Sequence, residues 1–306
     1  MTVWDPAGIC ARTMESARTI RPGEGPYPSR LAAVRDAPPS LRLAGDLGRP
    51  RARVAVVGAR ASDDYGLRLA HELGKGLARA GVSVVSGGAL GVDAAAHAGA
   101  LDGRGHTVAV LGSGLDVRHP ASHRELFDRI LAAGGALLSE LDDGAPAAAW
   151  TFPRRNRIVS GMSDAVVVVR AGRGSGALIT ASFAREQGVP LLAVPGDVDE
   201  PLSAGTTELL RTGARAVGSA EDVLSAIGIA SQPALPLAVP GDLPEDVRAL
   251  LSALARAPRH ASELARAAGL APGPALAGLL ALELEGLCEQ RPGQYFLRRW
   301  SEGAGG

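Results

Sequence analysis

The run TFPRRNRIVSG (151–161) places Arg154, Arg155 and Arg157 close together behind Phe152. Planar guanidinium forks suit phosphate, and an aromatic ring stacks on an unpaired base, so this grouping fits contact with a single nucleic-acid strand. It fits equally a solvated basic helix start with Phe152 in the core. A second pattern is SGGALGVDAAAH (86–97), which reads as a strand end, a glycine-rich turn and a helix opening near Gly91 or Val92, with Asp93 placed to cap it. Such glycines let backbone N–H groups approach an anion, and a helix N-terminus adds positive dipole. SGALITA (175–181) has the same shape. One such turn is a geometric need of any α/β fold. Four or five at one sheet edge point to a nucleotide or phosphate pocket.

Other chemistries find less support. The first strand ends GARASDDYG (58–66), which is not the G-x-G-x-x-G of dinucleotide folds. No P-loop is present, and Lys75, the one lysine, has no such context. No serine sits in a G-x-S-x-G elbow. His119 and His123 in HPASH are separated by Pro120 and have no evident acidic third ligand, so they read as loop or surface histidines. Glu140 follows a strand and fits either a general base or a salt-bridge partner. Cys10 and Cys288 are far apart and without metal-ligand spacing, so neither a disulfide framework nor a metal site is expected.

Residues of this kind need elements to hold them. RVAVVGA (53–59), VSVVSGG (82–88), HTVAVLGSG (106–114), GALLSEL (135–141), DAVVVVRAG (164–172) and PLLAVPGD (190–197) each read as a buried strand ending in glycine or a polar residue. Helical segments separate most of them; the first sets Leu67, Leu69, Ala70, Leu73 and Leu77 roughly on one face. Alternating strand and helix predicts a Rossmann-like, doubly wound, mostly parallel sheet, whose ligands sit beyond the carboxyl ends of its strands. Residues 1–50 read as an irregular N-terminal arm, 51–227 as the Rossmann-like domain, and 228–242, rich in Pro and Ala, as a linker. Residues 243–300 read as a winged-helix domain: three helices (243–258, 260–270, 272–287) and a hairpin (288–300).

Aromatics are only 3% against 46% hydrophobic residues, so the core must be aliphatic. Formal net charge is zero, so a nucleic-acid site must be a local cluster rather than a basic surface. No apolar run reaches a membrane span and no signal-peptide order is present, which predicts a soluble cytoplasmic protein without a membrane partner.

Taken in order, GAR (58–60), SGGALGVDAAAH (86–97), VLGSGLDVRHPASHRELF (110–127), LLSE (137–140), FPRRNRIVSGMS (152–163), SGALITASFA (175–184) and VPGDVD (194–199) resemble the successive blocks of the DprA/Smf family. YPSRLAAVRDAPPSLRLAGDL (27–47) is similar to that family's lead-in, and the tail resembles its winged helix. The resemblance runs from about residue 27 to 227. It implies a protein that binds single-stranded DNA, commonly as a homodimer. It also implies loading of the RecA recombinase onto incoming strands in natural transformation, with no catalysis and no cofactor. By position it assigns DNA contact to Arg60, to Ser86, Gly87 and Gly91 with Asp93 beside them, to Phe152, Arg154, Arg155 and Arg157, and to Ser175 and Gly176. The chain departs from the pattern at Leu90 and Gly174, where the family often has a basic residue; Arg173 lies one step from the second. Residues 1–26 do not spell the N-terminal helical domain of many members.

Two other functions are compatible with parts of the chain. PGDVDEPLSAGTTELL (195–210) loosely resembles the signature of lysine-decarboxylase-like nucleotide phosphoribohydrolases, which would make Glu208 catalytic. The winged helix could serve a transcriptional regulator, yet the last of its three helices (272–287) carries Glu283 and Glu285 and no Lys or Arg. That helix is poorly suited to the charge of duplex DNA. Packing or partner contact is the expected role.

Overall fold

The computed structural model describes residues 17–229, 243–255 and 257–298. The chain divides into two compact units, Met1–Ala230 and Ser231–Gly306.

In chain order the first unit runs β1 (Arg18–Ile20), α1 (Ser29–Ala32), β2 (Leu41–Gly45), β3 (Arg53–Val57), α2 (Asp64–Arg79), β4 (Ser83–Ser86), α3 (Val92–Asp102), β5 (Thr107–Leu111), α4 (Arg124–Ala132), β6 (Ala136–Ser139), α5 (Thr151–Gly161), β7 (Ala165–Val168), α6 (Gly176–Glu186), β8 (Leu191–Ala193), α7 (Ala204–Arg211), β9 (Arg215–Ala216) and α8 (Ala220–Ala226). The strands form one sheet in the order β1-β2-β6-β5-β4-β3-β7-β8-β9. All pairs from β6 to β9 are parallel; β2 joins β6, and β1 joins β2, antiparallel.

The alternation of side chains builds a core on each face. From β3, Val54 and Val56 join Leu73 and Leu77 of α2 and Ala96 and Ala100 of α3. Ala55 and Val57 face the other way, with Ile158 and Val159 of α5 and Ala177 and Ala181 of α6. The strands are buried on both faces, which is why they read as unbroken aliphatic runs.

The stretch expected as an irregular arm is not irregular from residue 18 onward. β1, α1 and β2 extend the main sheet, with Leu31, Leu41 and Leu43 fully buried. These elements hold three to five residues each. They are too short to show a period, and the Pro- and Gly-rich turns between them dominate the composition. The expected linker falls almost wholly at 230–242, outside the described residues, as does Cys10.

One buried polar group stands apart from the sheet edge. His97 of α3 is fully buried, its Nδ1 lies 2.7 Å from Thr107 Oγ1, and that hydroxyl donates to Val84 O at 2.7 Å. The threonine proton is therefore committed, so Nδ1 of His97 must be the donor and Nε2 a bare acceptor. Nε2 has no partner. Burial first, then the charges of His123 and Arg155, drives this imidazole from 6.5 down to about 3.

The second unit contains α9 (Glu245–Ala253), β10 (Arg259–His260), α10 (Ala261–Ala267), α11 (Pro272–Leu284), β11 (Cys288–Arg291) and β12 (Tyr295–Arg298), with strand order β10-β12-β11. Three helices and a small antiparallel sheet enclose Leu250, Leu264, Leu279, Leu282, Cys288 and Phe296, the winged-helix arrangement. On α11, Leu280 and Leu284 are exposed. No single helix among the described residues is long and apolar enough to cross a membrane.

Candidate nucleic-acid interface

The strand order reverses between β3 and β7, because the chain winds from β3 outward to β6 and then returns to the far side of β3. Loops leaving two such strands diverge and open a crevice beyond their carboxyl ends. A groove of about 690 Å³ lies there. Its walls are the turn after β3 (Gly58–Ala61) and the turn after β7 into α6 (Gly172–Ala177). Gly87 and Ala89, after β4, and Phe152, Arg155 and Asn156 at the start of α5 complete it.

Arg60 and Arg173 are exposed on the two walls, and neither has an ion-pair partner among the described residues. The Arg60 guanidinium lies over the Phe152 ring, 4.8 Å from its centroid, and the His119 ring approaches the same phenyl at 5.7 Å. Stacking on an aromatic face holds a guanidinium flat while leaving its N–H edge free. Ser175 caps α6, accepting from Ala177 N, so a helix N-terminus is aimed at the groove. A Cβ placed on Gly176 or Gly174 would meet nothing within 4 Å. These glycines leave room for a ligand and are not required by packing.

Beneath the groove lies a buried pair. Asp93, 6% exposed, accepts from Gly87 N (3.1 Å) and Ala89 N (3.3 Å). Arg155, 7% exposed, donates through Nη1 to the carbonyls of Gly87 and Val110. Burial pushes the Arg155 guanidinium down to about 10, with Asp93 opposing the shift and Arg60 adding to it. Burial also raises the Asp93 carboxyl above its ordinary range, against the pull of Arg155 and of the Ala89 and Gly87 N–H groups. Together the two side chains pin the 86–91 turn by both its N–H and its C=O groups.

A third device holds the walls. Arg170, after β7, grips Asp63 through a fork at 3.2 and 2.6 Å, bonds Ser203, and covers the Tyr65 ring at 4.7 Å. Its carbonyl accepts from Ala59 N at 2.7 Å. Asp63 in turn caps α2 through Gly66 N. Burial alone would raise the Asp63 carboxyl, but the Arg170 fork and the Gly66 N–H outweigh it and hold it low.

The residues expected at the site therefore part into two groups. Arg60, Phe152, Arg155, Arg173, Ser175, Gly176 and Gly87 border one groove. Ser86 does not: it is fully buried and its hydroxyl is spent on Val56 O. Gly91 is a packing glycine, since a Cβ there would lie 2.3 Å from Ala59 O at φ +77°. Gly87 likewise makes way for the Arg155 guanidinium, 2.4 Å from its missing Cβ. Arg154 and Arg157 turn to Glu140 instead. Arg157, with 8% of its side chain exposed, meets Glu140 at 2.5 Å and Asp36 at 3.3 Å. Arg154, half exposed, pairs with the same carboxylate at 3.1 Å. Glu140 is a salt-bridge partner, and Glu208 lies exposed on α7, away from the groove lining. Among the described residues no cluster of His, Cys, Asp and Glu has the makings of a metal site.

A doubly wound α/β unit with a cationic, aromatic-floored groove at its switch point, joined in one chain to a winged helix, defines the class of protein. Residues 18–228 match the family model of DNA recombination-mediator protein A, and residues 232–294 match that of the DprA winged helix domain. The chain belongs to the DprA/Smf family of DNA-processing proteins. It is 44% identical to a putative DNA processing protein DprA of Mycobacterium tuberculosis over 83% of this chain, and the match spans 66% of that relative's length. Among solved structures it resembles DNA processing protein A of Streptococcus pneumoniae (TM-score 0.64, 36% identity, 72% of this chain and 78% of that one). It also resembles DNA processing protein A of Helicobacter pylori, whose structure is described as showing a single-stranded DNA binding mode (TM-score 0.62, 30% identity, 69% and 95%).

Proposed function

We propose that this chain binds single-stranded DNA in the switch-point groove, with Arg60 and Arg173 on phosphates and the Phe152 platform beside a base. The observation that carries the reading is that Arg60, stacked on Phe152, and Arg173 line one groove, neither with an ion-pair partner among the described residues. Arg155 supports it from below by fixing the 86–91 turn, with Ser86, Gly87 and Gly91 as parts of that support. A strand threaded there needs no catalytic group and no cofactor, so the role is binding rather than turnover. By family resemblance the chain acts as a cytoplasmic homodimer that protects incoming strands and loads RecA during transformation and recombination.

The direct test is titration of a labelled single strand with the Arg60→Ala/Arg173→Ala variant across a salt series. Losing two phosphate contacts should flatten the log–log salt slope by about 1.4. An unchanged slope and affinity would remove the groove as the binding site. Sedimentation of the purified chain tests the homodimer, and RecA filament growth on strands coated with single-strand-binding protein tests loading.

A further inference from the structure

Among the described residues one indole stands in solvent. Trp150, 60% exposed, stands at the entry to α5. A single exposed apolar side chain means little by itself. This one has a rigid mount, a cationic neighbour and a place on the rim next to the groove. Thr151, beside it, is 3% exposed and donates to Gly112 O at 2.6 Å, while Ala148 N donates to Thr151 Oγ1 at 3.2 Å. Gly114 N ties the same loop down through Ala145 O at 2.8 Å. The indole is thus held outward by an ordered frame.

Trp150 borders a shallow depression with Gly112, Glu140, Leu141 and Arg154. Arg154 gives its Nε and one Nη to Glu140 and keeps its other Nη without a partner among the described residues. Glu140, the carboxylate that lines this depression, is committed to Arg154 and Arg157. Phe152 lies two residues further on and borders the groove. Two residues along a helix stand about 200° apart. The indole and the phenyl therefore flank opposite sides of the start of α5, and both adjoin Gly112, whose missing Cβ would lie 3.0 Å from Phe152.

We propose that Trp150 is a second stacking subsite for a base of the same single strand, reached where the strand leaves the groove over the start of α5, with Arg154 against a neighbouring phosphate. The proposal rests on the groove being the single-strand site and extends it. An indole accepts any base, because every base has a π-face, so the subsite adds affinity without sequence preference.

The chain has three tryptophans, so Trp4→Phe/Trp300→Phe leaves Trp150 as the only indole reporter. Its emission should be quenched on saturation with an oligothymidylate of about 20 nucleotides. In the otherwise natural chain, Trp150→Ala should weaken the long oligomer on the order of tenfold with an unaltered salt slope, and Trp150→Phe should keep most of the affinity. Unquenched emission while a labelled long oligomer is bound, or full affinity in Trp150→Ala while Arg60→Ala loses binding, overturns the subsite and leaves the groove standing. Failure of the natural chain to bind any single strand overturns both.

Discussion

Arg154, Arg155 and Arg157 follow one another so closely that the sequence presents them as one basic cluster. Helical geometry distributes them, since each step turns the side chain by about 100°. Arg155 points inward to the carbonyls of Gly87 and Val110, and Arg157 closes on Glu140 and Asp36. The chemistry of the type was legible and its direction was not, because direction depends on where the helix begins. Arg157→Ala should therefore act on folding: it leaves Glu140, at 11% exposure, with only Arg154, and removes about 2 to 3 kcal/mol of stability. Urea unfolding reads that loss. Undiminished stability together with weakened strand binding would instead return Arg157 to the interface. The glycines carry a similar lesson. Gly87, Gly91 and Gly176 look alike in sequence, yet the first two admit protein atoms and the third faces open space. Trp150 had a signal available, an aromatic adjoining the basic run, but its exposure depends on the anchoring of the loop before it.

Among the elements, β3 to β8 were legible because burial on both faces selects Val, Leu and Ala in unbroken runs that end at the sheet edge. β1, β2 and β9 were not, being two to five residues long and partly exposed. The packing of α3 on the sheet carries its own acid sensitivity through His97. Its folded pKa, about 3, lies below the ordinary 6.5, so the folded state holds fewer protons than the unfolded one in between. Its contribution is complete above about pH 6.5 and is lost as pH falls toward 3, at about 1.4 kcal/mol per pH unit. Stability measured by urea across that window should fall less steeply in His97→Gln than in the natural chain. Parallel pH profiles for the two would show that the imidazole does not stay neutral in the fold.

At the scale of the whole molecule, the two units have separate cores, one of strands and helices and one around Leu279 and Phe296. The proposed strand contacts all fall in the first. Deleting residues 241–306 should leave single-strand affinity within about twofold, since no phosphate contact is removed. A large loss by the shortened chain, folded by circular dichroism, would move part of the interface to the winged helix. The acidic, apolar face of α11, with Leu284 exposed and Glu283 accepting from Gln290 N, offers little to a duplex.

Among the described residues the sheet ends in β1, three residues long, on one margin and in β9, two residues long, on the other. Stubs of that length give a neighbouring copy almost no ladder of amides and carbonyls to zip against. If two copies of this chain associate, these margins favour contact through side chains on helical or loop surfaces rather than through a shared sheet. Proline placed in β9 should leave the assembly state untouched by sedimentation, because so short a margin offers little to edge-to-edge polymerisation.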